Sequence, residues 1–191
     1  KINIGVVNSL GSRLLLVNDD TEVISPDWIQ GLASFVDEED IGMVGPVLLL
    51  ADGRIQSAGH FFFEQGAIHI AAGYGRNQDT FDGHLGVSAE RSGVTMACAL
   101  IPRKVFLEVG GLCPRLPKSF NDVDFANKLR AAGYRVIWTP DVEMKHFESL
   151  SRDPATEWHE EKLNLKRWGS QCVSLDPFSP LVNHRISGVY P

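Results

Sequence analysis

The sequence lacks the marks of several protein classes. It has only three cysteines, Cys98, Cys113 and Cys172, widely spaced and without a C-x-x-C pair. That excludes a disulfide framework and a zinc knuckle, and it fits a reduced, cytoplasmic setting. No run of about eighteen apolar residues occurs, so no membrane-spanning helix is expected. The opening Lys1-Ile2-Asn3-Ile4-Gly5 lacks the charged, apolar and small-residue progression of a secretory signal, and export is not expected. A surplus of positive charge is missing as well. The formal charge of -6 disfavours a broad nucleic-acid surface, while leaving room for a local basic pocket that holds one diphosphate. A Gly-rich phosphate loop is absent, which speaks against a nucleotidyltransferase.

What is present suits one domain. A chain of 191 residues, 43% of them hydrophobic, can bury one substantial core. Helix and strand patterns alternate across short Gly- and Pro-containing connections, which predicts an α/β architecture. Leu14-Leu15-Leu16-Val17 reads as a buried, parallel-type strand with Asn18-Asp19-Asp20 at its carboxyl end, where open α/β sheets place ligands. Ser25-Pro26-Asp27 predicts a helix running to about Asp37. Gly42 to Leu50 reads as a strand, with Ala51-Asp52-Gly53-Arg54 turning it into Ile55. Phe61-Phe62-Phe63 and Ile68-His69-Ile70 are weaker strand patterns, followed by a glycine-rich connection of the length used by binding loops. Val94 to Ile101 predicts a buried strand, Pro102 a short helix closed by Gly110-Gly111, and Asn121 to Ala132 the clearest helix. Tyr134 to Trp138 is a strand, and Glu157 to Trp168 a last helix ended by Gly169.

Three clusters can carry chemistry. Hard divalent cations prefer oxygen ligands, and when they also bind phosphates the protein supplies only one or two carboxylates. Asn18-Asp19-Asp20 can do this, and it is equally an ordinary strand-to-turn transition. At Asn121-Asp122-Val123-Asp124, Asn121 and Asp124 could form a capping box with Asp in place of Glu. Two residues apart on a helix, Asp122 and Asp124 point in different directions, so at most one is catalytic. With the other two capping, Asp122 is left without a structural role. His146, just past the Tyr134–Trp138 strand, lies near Ser149, Ser151 and Arg152, a set that would suit a metal-diphosphate site. His60, His69, His84, His159 and His184 show no ligand spacing and read as loop or surface residues. Trp158, Leu165 and Trp168 read as docking the last helix.

Taken in order, these segments resemble the family 2 glycosyltransferases, particularly the bacterial type that builds rhamnose-containing and other surface polysaccharides. Leu14 to Val23 resembles the strand and DxD-like motif, and Val94 to Arg103 with Phe106 and Val109-Gly110-Gly111 the acceptor-side strand and helix. Phe120 to Phe125 with Leu129 to Arg135 resembles the helix of the catalytic acid residue, and His146 with Glu148-Ser149 and Ser151-Arg152 the closing motif. Arg167-Trp168-Gly169 and Asp176-Pro177-Phe178 are similar to the tail. The resemblance implies a GT-A (nucleotide-diphospho-sugar transferase) fold, a mixed sheet flanked by helices, across residues 1–191. It also implies inverting transfer from a nucleotide-diphosphate sugar to a glycan or lipid-linked glycan, with Mg2+ or Mn2+. No nucleic acid is implied as a partner. The setting would be cytoplasmic, with peripheral association at the inner membrane face through the full-length protein. Asp122 would be the general base, Asp20 and His146 metal ligands, and Asn18, Asp19, Asp20 and Arg152 the donor-diphosphate site.

The sequence departs from that pattern in three ways. Asn18 replaces an acid, Lys145 and Phe147 flank His146 where an aromatic and often a second His are familiar, and the first β-α-β segment for the nucleotide is missing. Ile2 to Ser12 matches only the last helix of that region, so a truncated piece of a longer protein is expected. A non-catalytic glycan-binding or interaction module is the alternative reading.

Overall fold

The computed structural model describes residues 1–63, 66–77, 83–147 and 158–169. In chain order the elements are α1 (Ile2–Asn8), β1 (Arg13–Val17), β2 (Thr21–Val23), α2 (Trp28–Ala33), β3 (Ile41–Leu49), β4 (Ile55–Ser57), β5 (His60–Phe63), β6 (Gly66–His69), β7 (Ala89–Glu90), β8 (Cys98–Pro102), α3 (Arg103–Glu108), α4 (Asn121–Ala131), β9 (Arg135–His146) and α5 (Trp158–Trp168). Among the described residues, seven strands form one mixed sheet whose main path is β1-β8-β3-β9-β2. β4 pairs with β3, β7 pairs with β9, and β5 and β6 make a separate hairpin.

β3 forms the centre of the sheet because every one of its nine residues is buried, the pattern of a strand covered on both faces. It pairs parallel with β9 and antiparallel with β8 and β4. Alternation along it feeds two cores: Met43, Val47 and Leu49 join Phe125, Leu129 and Trp138, whereas Val44 and Leu48 join Leu32, Leu100 and Met144. Gly45 permits close packing at the centre, since a Cβ there would lie 2.7 Å from that of Val94.

Tertiary context revised several expectations. The first strand is neither parallel nor deeply buried among the described residues: β1 pairs antiparallel with β8, and of its five residues only Leu14 is buried. The predicted Val94–Ile101 strand begins only at Cys98, because residues 94–97 turn across the sheet end. The helix after Ser25-Pro26-Asp27 stops at Ala33. Ser25 does not cap it, since its hydroxyl accepts the Glu143 N–H at 2.9 Å.

The largest difference lies in β9, which continues past Trp138 to His146. Its register against β3 jumps from Pro46↔Thr139 to Val47↔Glu143, leaving Pro140, Asp141 and Val142 in a bulge. A proline cannot donate to a ladder, so a bulge is where a strand interior tolerates one. The three extra residues are an odd number, so the side chains change faces across it. Before the bulge Val136 and Trp138 enter one core, whereas Val142 in the bulge and Met144 after it enter the other.

Candidate active site

The first acidic motif and the closing histidine meet through strand pairing. β2 runs antiparallel to the end of β9 with Thr21 opposite His146, and the Phe147 N–H donates to the Asp20 carbonyl at 2.9 Å. The two residues are 126 positions apart in sequence, yet Asp20 Oδ1 lies 3.2 Å from His146 Nε2. Asn18 Nδ2 lies 3.3 Å from the same nitrogen, and the Asn18 carbonyl accepts the Thr21 hydroxyl at 2.8 Å. Asp19 is exposed at the tip of this turn, free to face a ligand.

Gln56, on β4, is a site residue that carries no signal in the sequence. Its Oε1 lies 2.8 Å from His146 Nδ1, while its Nε2 donates to the His146 carbonyl at 3.5 Å. An amide oxygen can only accept, so Nδ1 carries a proton and, in the neutral ring, the lone pair is on Nε2, facing Asp20. Such an outer hydrogen bond fixes the tautomer of a metal-binding histidine. The donors fit a divalent cation. Adjacent ligands of an octahedral ion at about 2.1 Å stand about 3 Å apart, close to the Asp20–His146 separation. Among the described residues, no group of three His, Cys, Asp or Glu side chains is placed to hold a metal ion. Replacing Gln56, which is buried, by Leu should lower Mn2+ affinity about 10- to 100-fold while leaving the fold intact. Calorimetric titration of the two proteins with Mn2+ checks this.

Asp122 sits in the first turn of α4 and is linked to that end by the turn at residues 95–97. Its carboxylate takes a hydrogen bond from the Thr95 hydroxyl and accepts the Val123 N–H at 2.9 Å. Thr95 Oγ1 in turn accepts the Ala97 N–H at 3.4 Å, and the Ala97 carbonyl accepts the Asn18 N–H at 2.9 Å. Burial pushes the Asp122 carboxyl above its usual range, opposed in part by nearby His69 and by these hydrogen bonds. A carboxylate raised in this way is a stronger base than an exposed one.

The expected capping box is absent. Phe120 is the N-cap residue, with φ of 59°, and no side chain caps the helix. Asp124 is fully buried and turned the other way: its Oδ1 accepts Arg167 Nε at 2.7 Å and Trp168 Nε1 at 2.9 Å, and Lys128 Nζ lies 3.3 Å from Oδ2. It anchors α5. Glu160, also fully buried, accepts the Ser119 N–H at 2.7 Å and the Lys118 N–H at 3.3 Å. Two carboxylates therefore hold α5 against the start of α4, and the loop that Glu160 grips leads directly into Asp122. Of the aromatics expected to dock α5, Trp168 does so, whereas Trp158 is 68% exposed and Leu165 is also exposed. His60 is neither a loop nor a surface residue, since it is buried in β5, whereas its cross-strand partner His69 lies on β6 and is exposed, as a surface residue would be. Arg152, with Glu148, Ser149, Ser151, His184 and Asp176-Pro177-Phe178, lies outside the described residues.

The architecture is that of a GT-A nucleotide-sugar transferase. It superposes on a crystal structure of GalNAc-T7 with UDP, GalNAc and Mn2+ with a TM-score of 0.61, at 15% identity, covering 78% of this chain and 30% of that one. The chain is 41% identical over 152 residues to the uncharacterized protein y4gI of Sinorhizobium fredii, and 32% identical over 152 residues to the O-antigen biosynthesis protein RfbC of Myxococcus xanthus. These matches cover 78% and 74% of this chain but 17% and 11% of those proteins, so it spans a small part of the relatives' length. Over 62 residues, 31% of this chain and 20% of the relative, it is 36% identical to the N-acetylglucosaminyl-diphospho-decaprenol L-rhamnosyltransferase of Mycobacterium tuberculosis. No family model matches. The chain thus has a GT-A fold and is similar, over parts of their length, to an O-antigen biosynthesis protein and to a bacterial rhamnosyltransferase.

Proposed function

We propose that this chain is the acceptor-side portion of a glycosyltransferase that moves a sugar, with inversion, from a nucleotide-diphosphate donor to a glycan or lipid-linked glycan during surface-polysaccharide synthesis. The observation that carries the reading is the meeting of Asp20 and His146, 3.2 Å apart, at the end of the sheet to which Asp122 is also tied. A carboxylate beside an imidazole suits Mg2+ or Mn2+. When bound, the cation neutralises charge on the departing diphosphate.

The residues of the chain do the rest. Asp20 and His146 hold the cation, with Gln56 fixing the imidazole, and Asn18 and Asp19 line the donor side of the same turn. Asp122 accepts the proton of the acceptor hydroxyl as its oxygen forms the new bond to the anomeric carbon. The bond from that carbon to the diphosphate oxygen breaks with its electron pair leaving on the diphosphate. Attack opposite the leaving group inverts the centre. Arg152 is assigned to the diphosphate by resemblance alone.

Incubating the full-length protein with a panel of nucleotide sugars, candidate glycan acceptors and Mn2+ tests the reading. Transfer that stops on chelation, and Mn2+ affinity lowered at least tenfold by His146→Ala, are the expected results. Oligosaccharide binding without transfer from any donor would instead indicate the non-catalytic module.

A further inference from the structure

The proposed chemistry leaves unused a fully buried carboxylate, that of Glu160 in the first turn of α5. A buried acid costs free energy unless its oxygens are hydrogen-bonded. The two oxygens of Glu160 are served unevenly. Oε1 has no hydrogen-bond partner, and His159 Nε2, 3.9 Å from it, belongs to a side chain that is 62% exposed. Oε2 makes the contacts, accepting the Ser119 N–H at 2.7 Å and the Lys118 N–H at 3.3 Å. Both amides lie in the turn immediately before α4.

That turn is strained. Phe120, a non-glycine residue, is left-handed, with φ of 59° and ψ of 8°. Such a conformation persists only where its surroundings enforce it, and it collects at functional sites. As the N-cap residue, Phe120 brings no side-chain acceptor to the helix end. Its carbonyl accepts the Asp124 N–H at 2.8 Å, so the orientation of this one residue sets where the helix begins. Glu160, 41 positions beyond Ser119, supplies the acidic acceptor that a capping box would supply locally, at the helix end where the backbone dipole favours an acid. Asp122 follows the turn: its Oδ1 accepts the N–H of Val123, in the same first turn, at 2.9 Å, so the carboxylate moves with the backbone that Glu160 fixes. The second anchor of α5, Asp124 with Arg167 and Trp168, involves neither amide of the turn.

We infer that Glu160 is a positioning residue for Asp122: from α5 it holds the Lys118-Ser119-Phe120 turn in its left-handed form, and so fixes how the base at the start of α4 faces the acceptor hydroxyl. The inference rests on the reading of Asp122 as the base. It gives α5 a part in the reaction, through the backbone, without any contact to the reacting atoms.

In the full-length protein, at a temperature where each variant is folded, Glu160→Ala should lower kcat about 10- to 100-fold, the effect of an ångström-scale misplacement of a reacting group. Donor KM and Mn2+ affinity should be unchanged, because Asp20 and His146 are brought together by the pairing of β2 with β9. Glu160→Gln keeps an acceptor oxygen at the same reach and should recover most of the rate. Asp124→Ala, which loosens α5 without touching the turn, should keep a kcat close to that of the wild type. A wild-type kcat in Glu160→Ala, no recovery in Glu160→Gln, a rise in donor KM accompanying the loss, or an equal loss in Asp124→Ala would overturn the inference. Amide NMR reads the turn without turnover. The Ser119 amide proton should move upfield in Glu160→Gln, since an amide carbonyl is the weaker acceptor, and in Glu160→Ala the Asn121, Asp122 and Val123 amides should shift as well. An unmoved Ser119 signal in Glu160→Gln overturns the contact even where Glu160→Ala does not fold. Absence of transfer by the wild type would remove the base reading and the positioning role with it, whereas the amide shifts report separately on the turn.

Discussion

Asp122→Asn should reduce sugar transfer by about 10²- to 10⁴-fold, the usual contribution of a general base, or roughly 3–5 kcal/mol of barrier. The amide nearly matches the carboxylate in shape, so donor and Mn2+ binding should persist. The variant should also be at least as stable as the wild type at neutral pH. Folding raises the carboxyl above its ordinary value, so the native state favours the protonated form more than the unfolded chain does. The resulting destabilisation is absent below the unfolded pKa, grows as pH rises through and above it, and is complete above the folded pKa. An amide carries no such term. Single-turnover kinetics with donor titration, and thermal melts at acid and neutral pH, check the two halves. Unchanged turnover would remove Asp122 as the base.

Asp124→Ala should do the opposite. Its carboxylate is fully buried among Arg167, Trp168 and Lys128, so truncation leaves an indole N–H and two cations without their common partner. Removing one member of a buried ion pair costs about 3–5 kcal/mol, and the partial exposure of Arg167 places the expected loss near the lower end, about 3 kcal/mol. The urea midpoint should fall with little change in slope. Transfer lost at a temperature where the variant is unfolded should return on cooling, which Asp122→Asn cannot do. An unaltered midpoint would show that α5 is not held by this carboxylate.

Two acids two positions apart thus have different tasks, and the sequence went only part of the way to separating them. Helical geometry required Asp122 and Asp124 to diverge, and they do. Which of them served structure was assigned to a capping box, a local rule, whereas Asp124 instead binds side chains 43 and 44 residues away. Gln56 and Thr95 carried no signal, being common residue types in unremarkable surroundings. His60 looked ordinary because cross-strand pairing is a matter of register, which a weak alternating pattern does not specify.

Periodicity and punctuation by themselves determined the α/β class, most of the helices, the buried central strand and its turn into β4. The motifs, read by resemblance, selected Asn18-Asp19-Asp20, Asp122 and His146 for the proposed site. These are local properties, set by side-chain spacing and by where glycine and proline stop an element. What only the tertiary structure decided is how those residues meet. The Pro140 bulge, an odd insertion, exchanges the faces of β9 ahead of His146, and the pairing of Thr21 with His146 then brings Asp20 to it. Sequence spacing cannot supply that result, because strand register is fixed by two cores packing at once on opposite faces of one sheet.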